Sequence, residues 1–91
     1  MSVYSKKKTA QALEKIPGWK LNGSSISRTF VFEDFIAAMG FVTQVAILAE
    51  KAFHHPDINI RWNKVTITLS THDVSGLTKK DFDLAGKLQV L

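Results

Sequence analysis

Three histidines are the side chains of this sequence best suited to chemistry near neutral pH. His54 and His55 are adjacent, and His72 follows 17 positions after His55. Imidazole titrates near neutrality, so a pair of histidines can divide acid and base duties within one turnover. Glu50 precedes His54 by four residues, which places a carboxylate and an imidazole on one face of a helix. The spacing therefore suggests acid–base catalysis as a first hypothesis.

A predicted hairpin after the His-His pair offers a way for the histidines to meet. Alternating apolar residues predict two strands joined by a turn at Asn63-Lys64, and this turn pairs Trp62 with Val65. Extending the same register to the open end of the hairpin places His55 opposite His72. We therefore expect the two imidazoles to lie together on the polar side of the hairpin.

The same residues allow other interpretations. His54 and His55 can cap helix carbonyls while His72 is an ordinary loop residue. Three histidines can also hold a zinc ion with an open position, but adjacent side chains at a helix end diverge, so no metal site is expected. A triad of Ser70, His72 and Asp73 would draw all its groups from one strand end, which is poor geometry.

Composition excludes several classes of function. The 91 residues have 45% hydrophobic and 22% charged content, which predicts one globular domain spanning 1–91. The absence of Cys excludes disulfides, thiol catalysis and Cys-ligated metals. The net charge of +4 comes from residues 1–20, and residues 21–91 carry equal numbers of basic and acidic side chains. A nucleic-acid partner is therefore not expected. Without a secretory or membrane-spanning segment, we expect a cytoplasmic protein with no membrane partner.

Hydrophobic periodicity predicts the element order α-β-β-α-β-β-α. The predicted helices cover residues 9–16 and 33–53, with a last helix opening at a capping-box variant over 78–81. The predicted strands cover residues 19–21, 26–32, 57–62 and 65–70. This order indicates an α+β fold: a small four-stranded antiparallel sheet with helices packed on one face.

The long predicted helix over 33–53 is apolar over much of its girth. One stripe along it comprises Phe35, Met39, Val42, Val45, Ala46, Ala49 and Phe53, and Phe41, Leu48 and Ala52 lie off that stripe. Ile36 and Ile47 extend the apolar surface beyond that stripe. A helix apolar on several sides of a short chain is buried on more than one side, so we expect a homodimer or homotetramer.

The spacing of the chemically capable residues resembles the signature of the pterin-4a-carbinolamine dehydratases. The matching pattern is Glu50-x3-His54-His55-Pro56-x5-Trp62-x9-His72-x8-Asp81. The segments 62–65 and 67–72 and the Gly76-Leu77 pair also resemble the family, and the match covers about residues 28–89. Many members have an aromatic residue two positions after the proline, where this chain has Ile58.

The resemblance implies an activity and a set of roles. The family removes water from 4a-hydroxytetrahydropterin to give quinonoid dihydropterin, in tetrahydrobiopterin recycling, without a metal or other cofactor. By this analogy His54, His55 and His72 surround the 4a-hydroxyl as catalytic acid and base, in an order the sequence leaves open. The implied substrate-binding residues are Glu50, Ser70, Thr71, Trp62 and Asp81.

Position alone gives two of these residues another interpretation. Trp62 falls on the apolar face of the predicted hairpin, which favours a place in the core, and Asp81 falls where a helix-capping residue is expected. Some animal members of the family also act as dimerisation cofactors of a transcription factor. The competing hypothesis is therefore a non-enzymatic interaction module, for which the histidines would be incidental.

Overall fold

Residues 2–91, which the computed structural model describes, form three helices and four strands in the predicted order. The α+β class is confirmed. The elements are α1 (Lys6–Glu14), β1 (Lys20–Asn22), β2 (Ser25–Val31), α2 (Phe35–Ala52), β3 (Asp57–Arg61), β4 (Lys64–Leu69), a short 3-10 helix (His72–Val74) and α3 (Lys79–Leu88).

The four strands form one antiparallel sheet in the order β1-β2-β4-β3, so β4 is central and β3 lies at an edge. One face of β4 carries Val65, Ile67 and Leu69, which are fully buried in a core shared with the helices. The opposite face is polar, and the hydroxyls of Thr29 and Thr66 lie 2.9 Å apart across the β2–β4 pair. This alternation is typical of a sheet with one covered face.

The register of the β3–β4 hairpin differs from the predicted one. Arg61 pairs with Lys64 and Ile60 pairs with Val65, so the turn is Trp62-Asn63. The predicted Asn63-Lys64 turn and the Trp62–Val65 pair are therefore wrong. Because the side-chain period of a strand is two, a shift of two pairing positions leaves every β3 side chain on its predicted face.

Asn63 explains the position of the turn. Its side-chain amide donates a hydrogen bond to the carbonyl of Phe32 at 2.9 Å, and the Phe32 N–H donates to the Asn63 carbonyl at 2.8 Å. These two bonds tie Asn63 to the chain just beyond β2. Lys64 is consequently left to begin β4, where it pairs with Val31 of β2.

Helix α2 begins after Asp34, whose carboxylate accepts a hydrogen bond from the Ala37 N–H at 2.7 Å. It ends at Phe53, which has a left-handed backbone with φ of 50°. This end matters for the site because it decides where the two following histidines point.

The buried face of α2 differs from the predicted stripe. The fully buried residues are Ala38, Phe41, Val45 and Ala49, whereas Phe35, Met39 and Phe53 are exposed. The ring of Phe41 lies 4.7 Å from that of Phe30 and 5.0 Å from that of Phe32. This aromatic cluster selects the face of α2 that contacts the sheet. By length and apolar composition α2 also meets a criterion for a membrane span, which core helices of soluble proteins meet equally.

Helix α1 begins earlier than predicted, at Lys6, because Ser5 caps it by accepting a hydrogen bond from the Lys8 N–H at 3.1 Å. The lysine run therefore forms the exposed first turn of the helix. Trp19, predicted in a strand, precedes β1 and is buried.

Candidate active site

The three histidines line one cleft at the open end of the β3–β4 hairpin. It has a volume of about 250 Å³ and lies where α2 ends, β4 ends and the 3-10 helix begins. Its lining residues are Phe53, His54, His55, Ser70, Thr71, His72, Asp73 and Lys80.

His54 is the buried histidine of the cleft. Its backbone N–H donates to the Ala49 carbonyl at 3.2 Å, beyond the left-handed residue Phe53, and its ring turns into the protein. The ring Nε2 lies 2.6 Å from Oδ1 of Asp81, a residue with no exposed surface. The buried pair joins the end of α2 to the first turn of α3.

The side-chain carboxylate of Asp81 is the acceptor in each of its hydrogen bonds. Its Oδ2 receives the Thr78 N–H at 2.9 Å and the Thr71 hydroxyl at 2.8 Å. The Thr78 and Thr71 hydroxyls are 2.8 Å apart, and because Thr71 donates its proton to Asp81, it must accept from Thr78. The predicted capping role of Asp81 is confirmed, since Thr78 and Asp81 form a complete capping box.

This donor order fixes the tautomer of His54. An ionised carboxylate can only accept, so Nε2 of neutral His54 carries the proton and Nδ1 carries the lone pair. Within residues 2–91 Nδ1 has no hydrogen-bond partner, and it is not among the buried polar atoms that lack one. His54 therefore presents to the cleft a nitrogen that can accept a proton, backed by a buried carboxylate.

His55 points away from His54 and has a carboxylate of its own. Its Nε2 lies 2.6 Å from Oε1 of Glu50, and both side chains are largely exposed. The predicted placement of Glu50 with His54 on one helical face is wrong. The left-handed turn at Phe53 ends the helical spacing before His54, so Glu50 contacts the next histidine along.

His72 is exposed in the 3-10 helix and does not continue β4. The predicted cross-strand pairing of His55 with His72 is wrong, because the observed register extends from β3 toward Ser70 and the chain leaves the sheet before His72. A bridge between Thr71 and Gly76 closes the loop that carries His72. His72 therefore reaches the cleft through this loop and not through the predicted strand pairing.

Trp62 lies at the opposite end of the hairpin from the cleft. It occupies the β3–β4 turn with φ of 52° and is 67% exposed, so its predicted core position is wrong. The shift of the turn explains the difference, since a turn residue has no sheet face. The structure gathers seven of the eight predicted site residues around the cleft, with Glu50 and Asp81 behind two histidines, and leaves Trp62 apart.

Three lining residues had no place among the predicted ones. Phe53 precedes the His-His pair, Asp73 follows His72, and Lys80 precedes Asp81. The signal for Phe53 was available: a helix that stops shortly before Pro56 needs a left-handed cap near its last residues. Exposed charges such as Asp73 and Lys80 carry no comparable signal.

Two features elsewhere in residues 2–91 bear on the choice of this cleft. No group of three or more His, Cys, Asp or Glu side chains in residues 2–91 is arranged to hold a metal ion. A larger groove of about 430 Å³ lies between α1 and the β1–β2 turn, but its lining is mainly apolar and includes no histidine or carboxylate.

Comparison with known proteins identifies the family. The model of the family Pterin 4 alpha carbinolamine dehydratase matches residues 2–91. A protein of Acidobacterium capsulatum with the provisional name pterin-4-alpha-carbinolamine dehydratase is 48% identical over 91 residues, covering 100% of this chain and 99% of that protein. A relative of the same provisional name from Roseiflexus castenholzii is 54% identical over 78 residues, or 86% of this chain and 84% of its own.

A solved structure agrees with these sequence matches. The transcriptional coactivator/pterin dehydratase from Brucella melitensis superposes with a TM-score of 0.93 at 36% identity, covering 98% of this chain and 97% of that one. With a family model matched from residue 2 to residue 91 and about half of the positions shared with relatives, this chain belongs to the pterin-4-alpha-carbinolamine dehydratase family.

Proposed function

We propose that this protein dehydrates a 4a-hydroxytetrahydropterin to the quinonoid dihydropterin, in the recycling of tetrahydrobiopterin. The observation that carries the proposal is the buried His54–Asp81 pair, which opens on a cleft lined by two further histidines. Family membership supplies the substrate class. The cytoplasmic location expected from the sequence stays part of the proposal.

The reaction needs one proton removed and one supplied. The bond between C4a and the hydroxyl oxygen breaks, and the hydroxyl takes a proton from a general acid and leaves as water. The hydrogen on the neighbouring ring nitrogen passes to a general base, and its electron pair forms the new double bond to C4a. Each proton transfer contributes about 10²–10⁴-fold when imidazole performs it.

His54 is the residue we assign as the base. Its ring lines the cleft, its Nε2 is held by Asp81, and its Nδ1 has no hydrogen-bond partner within residues 2–91. When Nδ1 takes the proton, the buried carboxylate stabilises the imidazolium that forms, as in a catalytic triad. Asp81 is then a positioning residue, since it acts through His54 and does not reach the substrate.

His55 and His72 are the residues we assign to the leaving hydroxyl. Both are exposed at the cleft, and Glu50 holds the ring of His55 by its Nε2. Ser70 follows directly after β4, where its backbone groups can bind the polar edge of a flat ring as an added strand would. The backbone of Thr71 already bonds Gly76 and Val74, so Thr71 contributes through its hydroxyl bond to Asp81.

The direct test is the rate of dehydration of a chemically generated 4a-hydroxytetrahydropterin, reported as the excess over the spontaneous reaction. We expect a clear excess for the wild type and a loss of roughly 10²-fold in His54→Ala, His55→Ala and His72→Ala. The double substitution at His55 and His72 should lose much less than the product of the two single losses. A wild-type rate equal to the spontaneous rate contradicts the proposal.

No metal or organic cofactor enters the proposed chemistry, because both proton transfers use imidazole. We expect the excess rate to survive exhaustive chelation. Stoichiometric zinc in the purified protein, with activity lost on its removal and restored on its return, contradicts this part of the proposal.

A second candidate function is that of a transcription cofactor. The observation in its favour is the related solved structure, which is described as a transcriptional coactivator as well as a pterin dehydratase. Such a role uses a binding surface and does not need the cleft. A partner interaction that survives His54→Ala, in a protein without dehydratase activity, would favour this candidate.

Self-association is part of the proposal, with the outer face of α2 as the surface. We define this face by its exposed apolar residues Phe35, Ile36, Met39 and Ile47, of which Ile36 is 82% exposed. Burying such a face on a second copy removes apolar surface from water. Sedimentation of the wild type at micromolar concentration should give a dimer or tetramer, and Ile36→Asp with Ile47→Asp should give a monomer. A wild-type monomer contradicts this surface.

A further inference from the structure

Phe53 combines two features that packing within the chain does not explain. Its backbone is left-handed with φ of 50°, and its side chain is 83% exposed. The left-handed region disfavours every residue with a Cβ, and helices that end in it usually place glycine there. A buried ring could offset that strain, but the ring of Phe53 is mostly outside the core.

The strained turn has a definite result at the cleft. The Phe53 N–H donates to the carbonyls of Ala49 and Glu50, and the His54 N–H also donates to the Ala49 carbonyl. This turn sends His54 inward and leaves His55 outside, and the Phe53 side chain, which precedes both in sequence, lines the same cleft. Glycine would make the same turn, so the phenyl ring itself needs another explanation.

Among the residues that line the cleft, within 2–91, Phe53 is the only one with an apolar side chain. The rest carry imidazole, hydroxyl, carboxylate or ammonium groups. A flat heteroaromatic ligand has polar edges and an apolar face, and sites for such ligands pair an apolar wall with a few polar groups. Most side chains that line the cleft are polar, and Phe53 is the single candidate for an apolar wall among residues 2–91.

We propose that the Phe53 ring stacks on the flat ring of the pterin and is a substrate-binding residue of this protein. The inference rests on the proposed dehydratase function and adds a residue to its site. Aromatic stacking acts on the ring face in substrate and transition state alike, so it contributes to binding more than to the chemical step.

The experiment compares Phe53→Gly, Phe53→Leu and Phe53→Tyr with the wild type. Each protein is assayed for kcat and KM on 4a-hydroxytetrahydropterin, for Kd on unreactive biopterin, and for Tm. Val31→Ala is the control, since it removes an exposed apolar side chain at the end of the sheet away from the cleft. Sedimentation of every variant checks the oligomeric state.

Phe53→Gly should raise KM and the biopterin Kd roughly tenfold, with kcat nearly unchanged. Its Tm should stay level or rise, because glycine relieves the left-handed strain. Phe53→Tyr should keep the wild-type values and Phe53→Leu should lose most of the affinity, while Val31→Ala should keep both constants. A loss of affinity with an unchanged or higher Tm could not arise if Phe53 only stabilised the fold.

Three outcomes overturn the inference. They are an unchanged KM and Kd in Phe53→Gly, full affinity in Phe53→Leu, and a change of oligomeric state that accounts for the lost affinity. An inactive wild type is a different result, since it refutes the proposed function and not merely the role of Phe53.

Discussion

The two ends of the β3–β4 hairpin carry the same unusual local feature in different surroundings. Phe53, just before the hairpin, and Trp62, in its turn, are exposed aromatic residues with left-handed backbones, at φ of 50° and 52°. At the turn end the chain demands this conformation, because two-residue hairpin turns favour positive φ. At the cleft end a helix terminus demands it.

The two ends of the hairpin differ in the interactions that surround Trp62 and Phe53. Next to Trp62, two hydrogen bonds between Asn63 and Phe32 stabilise the turn. Near Phe53 stands a buried carboxylate with three donors, one of them an imidazole. Backbone strain is therefore a poor marker of chemistry by itself, and strain beside a buried ionisable network is a better one.

The largest expected effect is at Asp81. In Asp81→Asn the amide NH₂ must face either the Thr78 N–H and Thr71 hydroxyl or the His54 Nε2, so at least one buried donor loses its acceptor. We expect the excess dehydration rate to fall by at least about 10²-fold, because His54 is no longer held in its tautomer. The free energy of unfolding should fall by about 1–3 kcal/mol.

Asp83→Asn is the matched control for this substitution. Asp83 lies two residues further along α3 and is exposed, so the same chemical change removes no buried acceptor. Equal losses of activity in the two variants would mean that the site depends on α3 in general, and the contrast between a buried network and an exposed surface would collapse.

A smaller effect is expected at Thr71. Thr71→Val keeps the shape of the side chain but removes one donor to Asp81 and the acceptor of the Thr78 hydroxyl. We expect kcat to fall roughly tenfold, with stability lowered by about 1–2 kcal/mol and both restored in Thr71→Ser.

The readouts for Thr71 must separate positioning from stability. The ¹⁵N spectrum of the His54 ring should show Nε2–H as the main tautomer in wild type and Thr71→Ser, and a mixture in Thr71→Val. The kcat–pH profiles of Thr71→Val and Thr71→Ser give the second readout. An unchanged spectrum and profile would assign Thr71 to folding alone.

Sequence reasoning was strongest where one-dimensional pattern decides the outcome. The element order and the capping box at Thr78 and Asp81 were predicted because periodicity and cap residues are local signals. The buried face of α2 was predicted poorly, since several of its faces are apolar and only the contact of Phe41 with the sheet selects one.

The candidate site shows the same limit. The three histidines and Glu50 could be chosen from types and spacing, and Asp81 from the family resemblance, but their partners could not be predicted. Which carboxylate meets which histidine depends on one left-handed residue at the end of α2 and on a loop that leaves the sheet before His72. Neither feature repeats along the sequence, so hydrophobic periodicity cannot predict it.

The turn end should respond to substitution in stability alone. Trp62→Gly removes the strain of a left-handed tryptophan whose side chain is mostly exposed, so we expect a gain of about 0.5–1 kcal/mol in the free energy of unfolding. Within one chain Trp62 lies far from the cleft, so KM should not change. Chemical denaturation and steady-state kinetics measure the two quantities, and a raised KM would bring Trp62 back into the substrate site, for example across a subunit contact.

The smallest effect is expected at the exposed pair of Lys79 and Asp83, whose charged groups lie 2.7 Å apart on α3. The hydrogen bond from Lys79 to Asp83, with the attraction between their charges, raises the pKa of Lys79 above its ordinary 10.5. A raised pKa means that the pair stabilises the fold below pH 10.5 and that this contribution is lost as the pH rises through the raised pKa. Because both groups are solvated, the contribution is small, and Asp83→Asn should leave Tm at pH 7 within about 1 °C of wild type. Its measurable sign should be a lower titration midpoint of the Lys79 ammonium by NMR. A marked loss of Tm would show that charge at this helix end stabilises the fold even without burial, contrary to the contrast drawn with Asp81.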